Sequence, residues 1–427
     1  MLQTLKNAWK IPDLRRRILF TLMMLIVFRF GAHIPVPYLT ADAMQAFLGN
    51  GGTDLFSLFD VFTGGAFSNA TVMAMGVSPY INASIIVQLL TVAIPSLERL
   101  AKEGLEGRKK INKITRYLGI ALAFIQGAGL YVTLYNMSVT NGLDAIKNPS
   151  VLTFFVIVLT FTAGTAFIIW LGELITEKGL GNGVSLIIFA GIVSRIPSAA
   201  YGIYNQFLGA GVNAKGLIFV AAIIVVAIAA ITFVVFFSEA ERRIPVQYAK
   251  RVVGRKMYGG QSTNIPIKVA AGGVMPIIFA SSILSLPQTI SMFWQPESGS
   301  VGAHILNLFS QTSVFYIVLY ALLILAFAYF YASIQFNPIE IANNLKKNGG
   351  KPTSDFITKA LGKVTFVGAL FLAVVALLPL IVGAVNSSLR NVALGGTSVI
   401  IVVGVALDTV KQMEAQMLMR HHKGFLE

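Results

Sequence analysis

The chain has 427 residues, of which 56% are hydrophobic and 12% are charged, and its mean hydropathy is +0.75. This composition excludes an ordinary soluble domain and indicates a polytopic membrane protein. The net charge of +15 would suggest nucleic-acid binding in a soluble protein, but in a membrane protein the positions of the charges matter more than their sum. The absence of cysteine excludes disulfides, thiol catalysis and thiolate metal sites.

Ten apolar segments are each long enough to cross a membrane as a helix, at about 20 residues per span. We therefore predict transmembrane helices near residues 18 to 36, 76 to 94, 117 to 137, 151 to 172, 183 to 201, 214 to 237, 269 to 290, 311 to 334, 364 to 385 and 394 to 410. The first could pass for a signal peptide, but no small-residue cleavage site follows it.

The basic residues predict the orientation of these spans. Of the 33 lysines and arginines, 28 lie in the two tails and in alternate loops, at 95 to 116, 174 to 182, 238 to 268 and 335 to 363. By the positive-inside rule these segments are cytoplasmic. Both termini are then cytoplasmic and the number of spans is even.

The segment between the first two predicted spans is unusual. Its middle, LFSLFDVFTGGAFSNATVMAMG, is too short and too interrupted by glycine and polar residues to span, and yet it is rich in phenylalanine. We interpret it as a short helix folded back into the protein, because lipid cannot satisfy an irregular backbone. An interfacial helix lying on the outer leaflet is the alternative that the residues leave open.

Two cytoplasmic loops are long, at 238 to 268 and 335 to 363. The first alternates basic and apolar residues, as in VQYAKRVV and KMYGGQ, which predicts a β-hairpin that projects into the cytosol. We favour a docking surface for acidic lipid headgroups or a phosphate-bearing partner over a charged loop that only enforces topology.

Ionisable residues are scarce within the predicted spans. Arg29 lies toward the outer end of the first span and can snorkel, and Glu173, Arg195, Arg390 and Asp408 lie at helix ends. Ion-coupled transporters need titratable or ion-binding groups inside their spans, so these spans disfavour a pump. The sequence also lacks a phosphate-binding loop motif, and its four histidines, His33, His304, His421 and His422, have no metal-ligand spacing. We expect no metal, no cofactor and no enzymatic site.

Small polar residues are frequent on the second, third and seventh spans. Plain helix packing explains many of them. The functional interpretation is an interface that opens and that is sealed by weak hydrogen bonds and close backbone contact. Isoleucines also recur four residues apart on the second and fifth spans, where they could line a hydrophobic constriction.

Eight stretches in order resemble the SecY family, the channel subunits of the bacterial protein-translocation complex. They are GAHIPVP, MGVSPYINASIIVQLL, EGLEGRKKINKITRY, ITEKGLGNGVSLIIFAGI, ERRIPVQYAKR with QSTNIPIKV, GGVMPIIFASSI, NPIEIANNLKKNGG and GGTSVIIVVGVALDTVKQMEAQ. The resemblance covers essentially the whole chain.

The resemblance implies an all-α membrane fold of ten transmembrane helices in two inverted, pseudo-symmetric halves, residues 1 to 205 and 206 to 427, with a re-entrant plug helix at about 54 to 71. A lateral gate opens between spans two and three on one side and seven and eight on the other. The implied residues are, for the pore ring, Ile81, Ile85, Ile188, Ile192, Ile278 and Ile401; for the plug, Phe56, Phe59, Phe62, Gly64, Gly65 and Phe67; and for the gate, Gln88, Thr91, Gln126, Ser281 and Ser282.

The resemblance also implies partners. The small membrane subunits SecE and SecG, the motor ATPase SecA, the ribosome, a preprotein with its signal sequence, and membrane lipid would all contact the channel. Motor and ribosome would dock on the two long loops, through Arg242, Arg243, Lys250, Arg251, Arg255, Lys256, Lys346 and Lys347.

The second loop departs from the family pattern. Family members carry a Pro-Gly-Ile-Arg-Pro-Gly type stretch at its tip, but here LKKNGG runs directly into KPTSDF. We interpret this loss as an excision that leaves the channel intact and weakens motor-driven transport.

The residues and the resemblance together predict a passive, gated, protein-conducting channel in the bacterial cytoplasmic membrane. A solute transporter and a polytopic scaffold for cytosolic partners are the alternatives. The scaffold does not account for the folded-back segment.

Overall fold

The computed structural model describes residues 2–49, 60–141, 145–208, 214–247, 251–253, 256–258, 262–269, 272–291, 293, 300–310, 313–335, 351–385 and 395–423. Most of these residues are helical. In chain order the helices are α1 (Leu2–Lys10), α2 (Pro12–Gly31), α3 (Ala41–Gly49), α4 (Ser78–Ala93), α5 (Pro95–Lys102), α6 (Leu105–Asn141), α7 (Val151–Lys178), α8 (Gly183–Ser194), α9 (Ile196–Leu208), α10 (Ala214–Glu239), α11 (Met275–Ser291), α12 (Val301–Leu308), α13 (Val314–Gln335), α14 (Lys351–Val385) and α15 (Gly395–Lys423).

A helix lies at the position of each of the ten predicted spans. Within the described part of the chain, six helical stretches are long and apolar enough to cross a membrane when α8 and α9 are counted together, or seven if the bent pair α4 and α5 also counts as one span. The other three predicted spans coincide with α2, with the short apolar α11 and with α15.

Some helices are longer than predicted. The helices α6, α14 and α15 continue well beyond their apolar parts. Their charged extensions can be hydrated in water, whereas the hydropathy pattern detects only the apolar part of each helix. Asp408, which was expected at a helix end, therefore lies inside α15. The fifth predicted span is two helices, α8 and α9, separated at Arg195.

Proline determines where α4 ends. Ile94 precedes Pro95 and has extended backbone angles (φ −108°, ψ 115°), which is the conformation that proline imposes on the residue before it. The axis bends by 101° between α4 and α5. The short α5 carries Glu98, Arg99 and Lys102, so it is too polar to continue into the membrane.

The chain divides into two compact units. The first comprises Met1–Ala221, Ser282–Ser313 and Val405–Glu427. Within it α6 packs against α4 and α7, and a buried core includes Leu130 and Phe161 of these helices.

The second unit comprises Ala222–Ser281 and Val314–Gly404. Its helices α13 and α14 pack side by side, and the rings of Phe237 and Phe371 stack with their centroids 4.1 Å apart.

The predicted hairpin is confirmed in the second unit. Strands β1 (Glu241–Gln247) and β4 (Ser262–Lys268) pair antiparallel, as do β2 (Arg251–Val253) and β3 (Lys256–Tyr258). Gln247 pairs with Ser262 and Arg251 pairs with Tyr258, so both strand pairs have the same alignment and belong to one hairpin. Ile244 and Ile267 at its base pack against Leu361 of α14. The hairpin is therefore anchored by apolar contact with a helix that continues into a predicted span.

Candidate functional site

The candidate site is the chain between α3 and α4. Its described part, residues 60 to 77, is called here the re-entrant segment. It starts with one helical turn, Asp60 to Thr63, and continues as a series of turns up to the start of α4. The predicted plug residues Phe56 and Phe59 lie outside the described residues.

The re-entrant segment is buried in the first unit. Phe67 is 0% exposed and belongs to the core formed with Leu130 and Phe161. Ala66 is also fully buried, and Phe62 is half-buried. The prediction that this segment folds back into the protein is confirmed, and the interfacial helix on the outer leaflet is wrong.

Main-chain hydrogen bonds hold the second half of the segment. Val36, which follows α2, donates its N–H to the carbonyl of Ala70 at 2.8 Å, and Val72 donates to Ile34 at 2.9 Å. These bonds flank an antiparallel bridge between Pro35 and Thr71. The backbone of this non-helical stretch thus finds its hydrogen-bond partners inside the protein.

Close backbone contact positions the first half against α8. A side chain at Gly191 would overlap the carbonyl oxygen of Phe62, so glycine at this position lets helix and segment touch. Gly64 and Gly65 adopt positive φ angles of 69° and 87°, which other residues rarely adopt. The two glycines therefore form the turn after the helical stretch.

Charged groups contact the same turn. Asp60, whose side chain is 6% exposed, accepts a hydrogen bond through Oδ2 from Nη1 of Arg195 at 2.7 Å. Its Oδ1 accepts from the backbone N–H of Ser68 at 2.8 Å. Nη1 of Arg29 on α2 donates to the carbonyl of Gly64 at 2.9 Å.

Asp60 is not among the residues predicted from the sequence, where Arg29 was expected to snorkel and Arg195 to lie at a helix end. The signal was present, because a carboxylate in an apolar stretch of a membrane protein needs a partner. The sequence did not say which arginine would supply the partner.

The six predicted pore-ring isoleucines are divided between the two units. Ile85 of α4 and Ile188 and Ile192 of α8 are buried in the first unit, where Ile81 is half-buried. In the second unit Ile401 is buried and Ile278 is half-buried. Gly191, which contacts Phe62, directly precedes Ile192, so the re-entrant segment lies beside part of the predicted ring. The closure of a six-membered ring stays a prediction.

Hydroxyl groups of the predicted gate bond within their own helices. Thr91 donates to the carbonyl of Val87 at 2.7 Å and Ser281 to that of Ile278 at 2.9 Å. Whether these hydroxyls also lie at an interface that opens stays a prediction. Gln88 and Ser282 are half-buried.

Gln126 differs from the other predicted gate residues. It is 4% exposed on α6, and among the described residues its Oε1 has no hydrogen-bond partner.

The predicted docking residues are only partly described. Arg242 and Arg243 are exposed on β1, and Arg243 pairs with Glu241 at 2.8 Å. Arg251 and Lys256 lie on β2 and β3, and their side chains are outside the described part of the structure. The residues that lie outside the described chain are Lys250, Arg255, Lys346 and Lys347.

Among the described residues, no group of three or more histidine, aspartate or glutamate side chains is placed to hold a metal ion. The ring nitrogen Nδ1 of His33 lies 2.9 Å from the carbonyl oxygen of Arg29.

Comparison with known proteins supplies the family. The family model described as SecY matches residues 71–410. Relatives named protein translocase subunit SecY match over the full chain: the one from Thermotoga maritima is 45% identical over 442 residues, covering 100% of this chain and 98% of its own. The one from Streptomyces coelicolor is 43% identical over 440 residues and is covered completely. The chain belongs to the SecY family.

Solved structures share the fold. One described as the structure of a protein conducting channel matches with a TM-score of 0.65 at 17% identity, covering 94% of this chain and 92% of that one. A second, whose description states that the SecY plug domain stabilises the closed state and maintains a membrane seal, matches at 0.64 and 19% identity with the same coverage. Canine Sec61 in a ribosome–channel complex matches at 0.62 and 16% identity, again with the same coverage.

These relationships confirm the predicted fold class, ten transmembrane helices with a re-entrant plug. They identify a multi-pass membrane protein, and they support protein translocation and not solute transport as its function.

The contact between α8 and the re-entrant segment yields a test. Replacing Gly191 with valine should push Phe62 away from the helix, because the new side chain overlaps its carbonyl oxygen. Overpacking of this kind costs about 1–3 kcal/mol, so amide hydrogen exchange at Gly64 and Gly65 should speed up by roughly tenfold or more. Gly202→Val is the matched control, since nothing lies within 4 Å of the added carbon there. Equal exchange in both variants would contradict the contact.

Proposed function

We propose that this chain forms a gated channel that passes unfolded secretory proteins across a bacterial cytoplasmic membrane and releases apolar segments sideways into lipid. The observation that carries the proposal is the re-entrant segment, a largely apolar stretch that is not a spanning helix and is nevertheless buried inside the protein. A solute transporter has no need of such a segment. It would need intramembrane ionisable residues, which are scarce among the spans.

The seal of the resting channel is proposed to have two layers. A ring of Ile81, Ile85, Ile188, Ile192, Ile278 and Ile401 would block ions by dewetting, because water and ions enter a narrow apolar constriction only at a high free-energy cost. The re-entrant segment would cover this ring as the plug. The contact between Phe62 and Gly191, next to Ile192, supports that position.

Opening is proposed to follow from differential binding. The chain would act as two halves, residues 1 to 205 and 206 to 427. The halves would separate at the lateral gate, whose proposed residues are Gln88, Thr91, Gln126, Ser281 and Ser282. A signal sequence that binds the open state more tightly than the closed state shifts the population toward opening. The chain needs no reaction of its own for this step, since the driving force comes from a bound partner.

The partners are proposed from the family and from charge. SecE and SecG would accompany the chain in the membrane, and SecA or the ribosome would dock on the cytoplasmic loops. The exposed Arg242 and Arg243 lie on a hairpin whose base packs on α14, so this basic surface is held in place and can meet an acidic partner. The positions of the basic loops support a cytoplasmic location for both termini.

Substrate crosslinking tests the channel directly. A photoreactive residue at Ile81 or Ile278 should crosslink a stalled preprotein, because only a channel brings the substrate to both helices. The control is the same probe at Val226, which is 66% exposed on α10. A preprotein that crosslinks at Val226 and at neither isoleucine would exclude a central channel.

Ion conductance tests the ring. Replacing Ile81, Ile188, Ile278 and Ile401 together with serine should raise the conductance of the resting channel in planar bilayers, because hydroxyl groups wet the constriction. The same four positions changed to valine keep their apolar character and should remain sealed. If the serine variant conducts no more than the valine variant, the ring assignment is wrong.

The shortened loop generates a third test. Inserting a Pro-Gly-Ile-Arg-Pro-Gly stretch between Gly350 and Lys351 should increase ATP-dependent preprotein transport driven by the motor, because the arginine supplies a charged contact for it. An insertion with alanine in place of that arginine controls for loop length. Equal transport with and without the arginine would mean that the missing tip does not limit docking.

A further inference from the structure

The two halves of the re-entrant segment are held by different kinds of contact. From Ala66 onward the segment is part of the apolar core, with Phe67 fully buried and Val72 bonded to the chain after α2. Before Gly65 it is held by charged groups, by hydrogen bonds and by one close backbone contact. Exposing a buried phenylalanine to water costs free energy, whereas charged groups that separate can each be hydrated.

Asp60 is the centre of the polar half. Both of its carboxylate oxygens are used, one by Arg195 and one by the backbone of Ser68. Its own carbonyl accepts the N–H of Gly65 at 2.9 Å. A buried carboxylate that loses its cation is strongly destabilised, so Asp60 must stay paired while it stays in place.

Arg195 is the more exposed member of the pair. Its side chain is 39% exposed, against 6% for Asp60, and it follows the last residue of α8. When the pair separates, Arg195 can complete its solvation where it is, and Asp60 is hydrated if it moves toward water. A pair with this asymmetry can open and close repeatedly, which a pair buried on both sides cannot do without a large desolvation cost.

Arg29 contacts the same turn from a different helix. It donates to the carbonyl of Gly64, whose positive φ angle directs that carbonyl away from an ordinary helical path. Arg29 on α2 and Arg195 at the end of α8 thus contact the turn at two places, the carbonyl of Gly64 and the carboxylate of Asp60. Gly64 and Gly65 then connect this turn to the fixed apolar half, in a backbone conformation that tolerates rotation.

We propose that the ion pair Asp60–Arg195 is a reversible latch, and that residues 60 to 65 swing about Gly64 and Gly65 while residues 66 to 77 stay in the core. The latch rests on the proposed function, since it holds the plug over a channel. It adds to that function a division of the plug into a moving part and a fixed part, and it names the charge pair that sets how readily the plug leaves.

The test uses the full-length chain reconstituted in planar bilayers without substrate. Asp60→Asn keeps an acceptor for Ser68 but removes the charge, and Arg195→Gln removes the cation. Each should raise the resting conductance by about tenfold or more, the change expected from the loss of one charge-assisted hydrogen bond. The double variant should conduct no more than the stronger single variant, because the two residues act through one interaction.

Two further variants serve as controls. Arg195→Lys retains a cation and should remain nearly as closed as the unaltered chain. Arg99→Gln removes an exposed arginine on α5 and should have no effect. Additive effects of the two single changes, or an Arg195→Lys channel as open as Arg195→Gln, would overturn the latch.

Hydrogen exchange separates the latch from a general loss of structure. In Asp60→Asn and Arg195→Gln the amides of Gly65 and Ser68 should exchange faster, while that of Val72 should be unchanged. Faster exchange at Val72 as well would overturn the division into moving and fixed parts. If exchange behaves as expected and no preprotein crosslinks at Ile81, the latch stands and the proposed channel function fails.

Discussion

The structure depends on one constraint: a membrane offers no water to a peptide group or a charge, so each must find its partner within the protein. Helices meet this requirement for most of the chain. The re-entrant segment is the exception, because it is mainly turns, and it survives at this depth only through specific partners. The bonds of Val36 and Val72 to its backbone, and of Arg29 to the carbonyl of Gly64, satisfy groups that a helix would have satisfied internally.

The same constraint explains the distribution of charge in the first unit. The spans contain few ionisable residues, and two of the arginines that they do contain meet at one turn of the re-entrant segment. The contacts of these two arginines hold the turn in place, and they can also break and form again. A plug held wholly by buried phenylalanines would close the channel firmly and open it with difficulty. A plug held partly by an ion pair whose arginine is 39% exposed can exchange that pair for water, which makes opening compatible with the modest binding energy of a passing segment.

The hairpin of the second unit illustrates how an exposed feature is positioned. Arg242 and Arg243 are exposed, whereas Ile244 and Ile267 anchor the base of the hairpin against α14. A docking surface on such a hairpin has a defined place relative to the helix that carries it. Flexible loops of the same charge would attract acidic partners equally well but would not orient them.

Much of this could be predicted from residue patterns. The ten spans follow from hydropathy, the hairpin from alternation in VQYAKRVV, and the burial of the plug from phenylalanines in a stretch too interrupted to span. Predicted helix ends were less accurate for α6, α14 and α15, because polar extensions in water carry no hydropathy signal. The hydroxyls of Thr91 and Ser281 donate to the preceding turn of their own helices, as a hydroxyl in a helix can always do, and their part in a gate stays a prediction.

By itself, then, the sequence determined that a membrane surrounds this protein, the number of its spans, and the family that its motifs resemble. These properties depend on local composition and order along the chain. Only the tertiary structure decided that Asp60 pairs with Arg195, which is 135 residues away, and that Gly191 allows α8 to touch Phe62. Such pairings depend on which distant side chains the fold brings within hydrogen-bond reach, and no local pattern specifies that choice among the available cations.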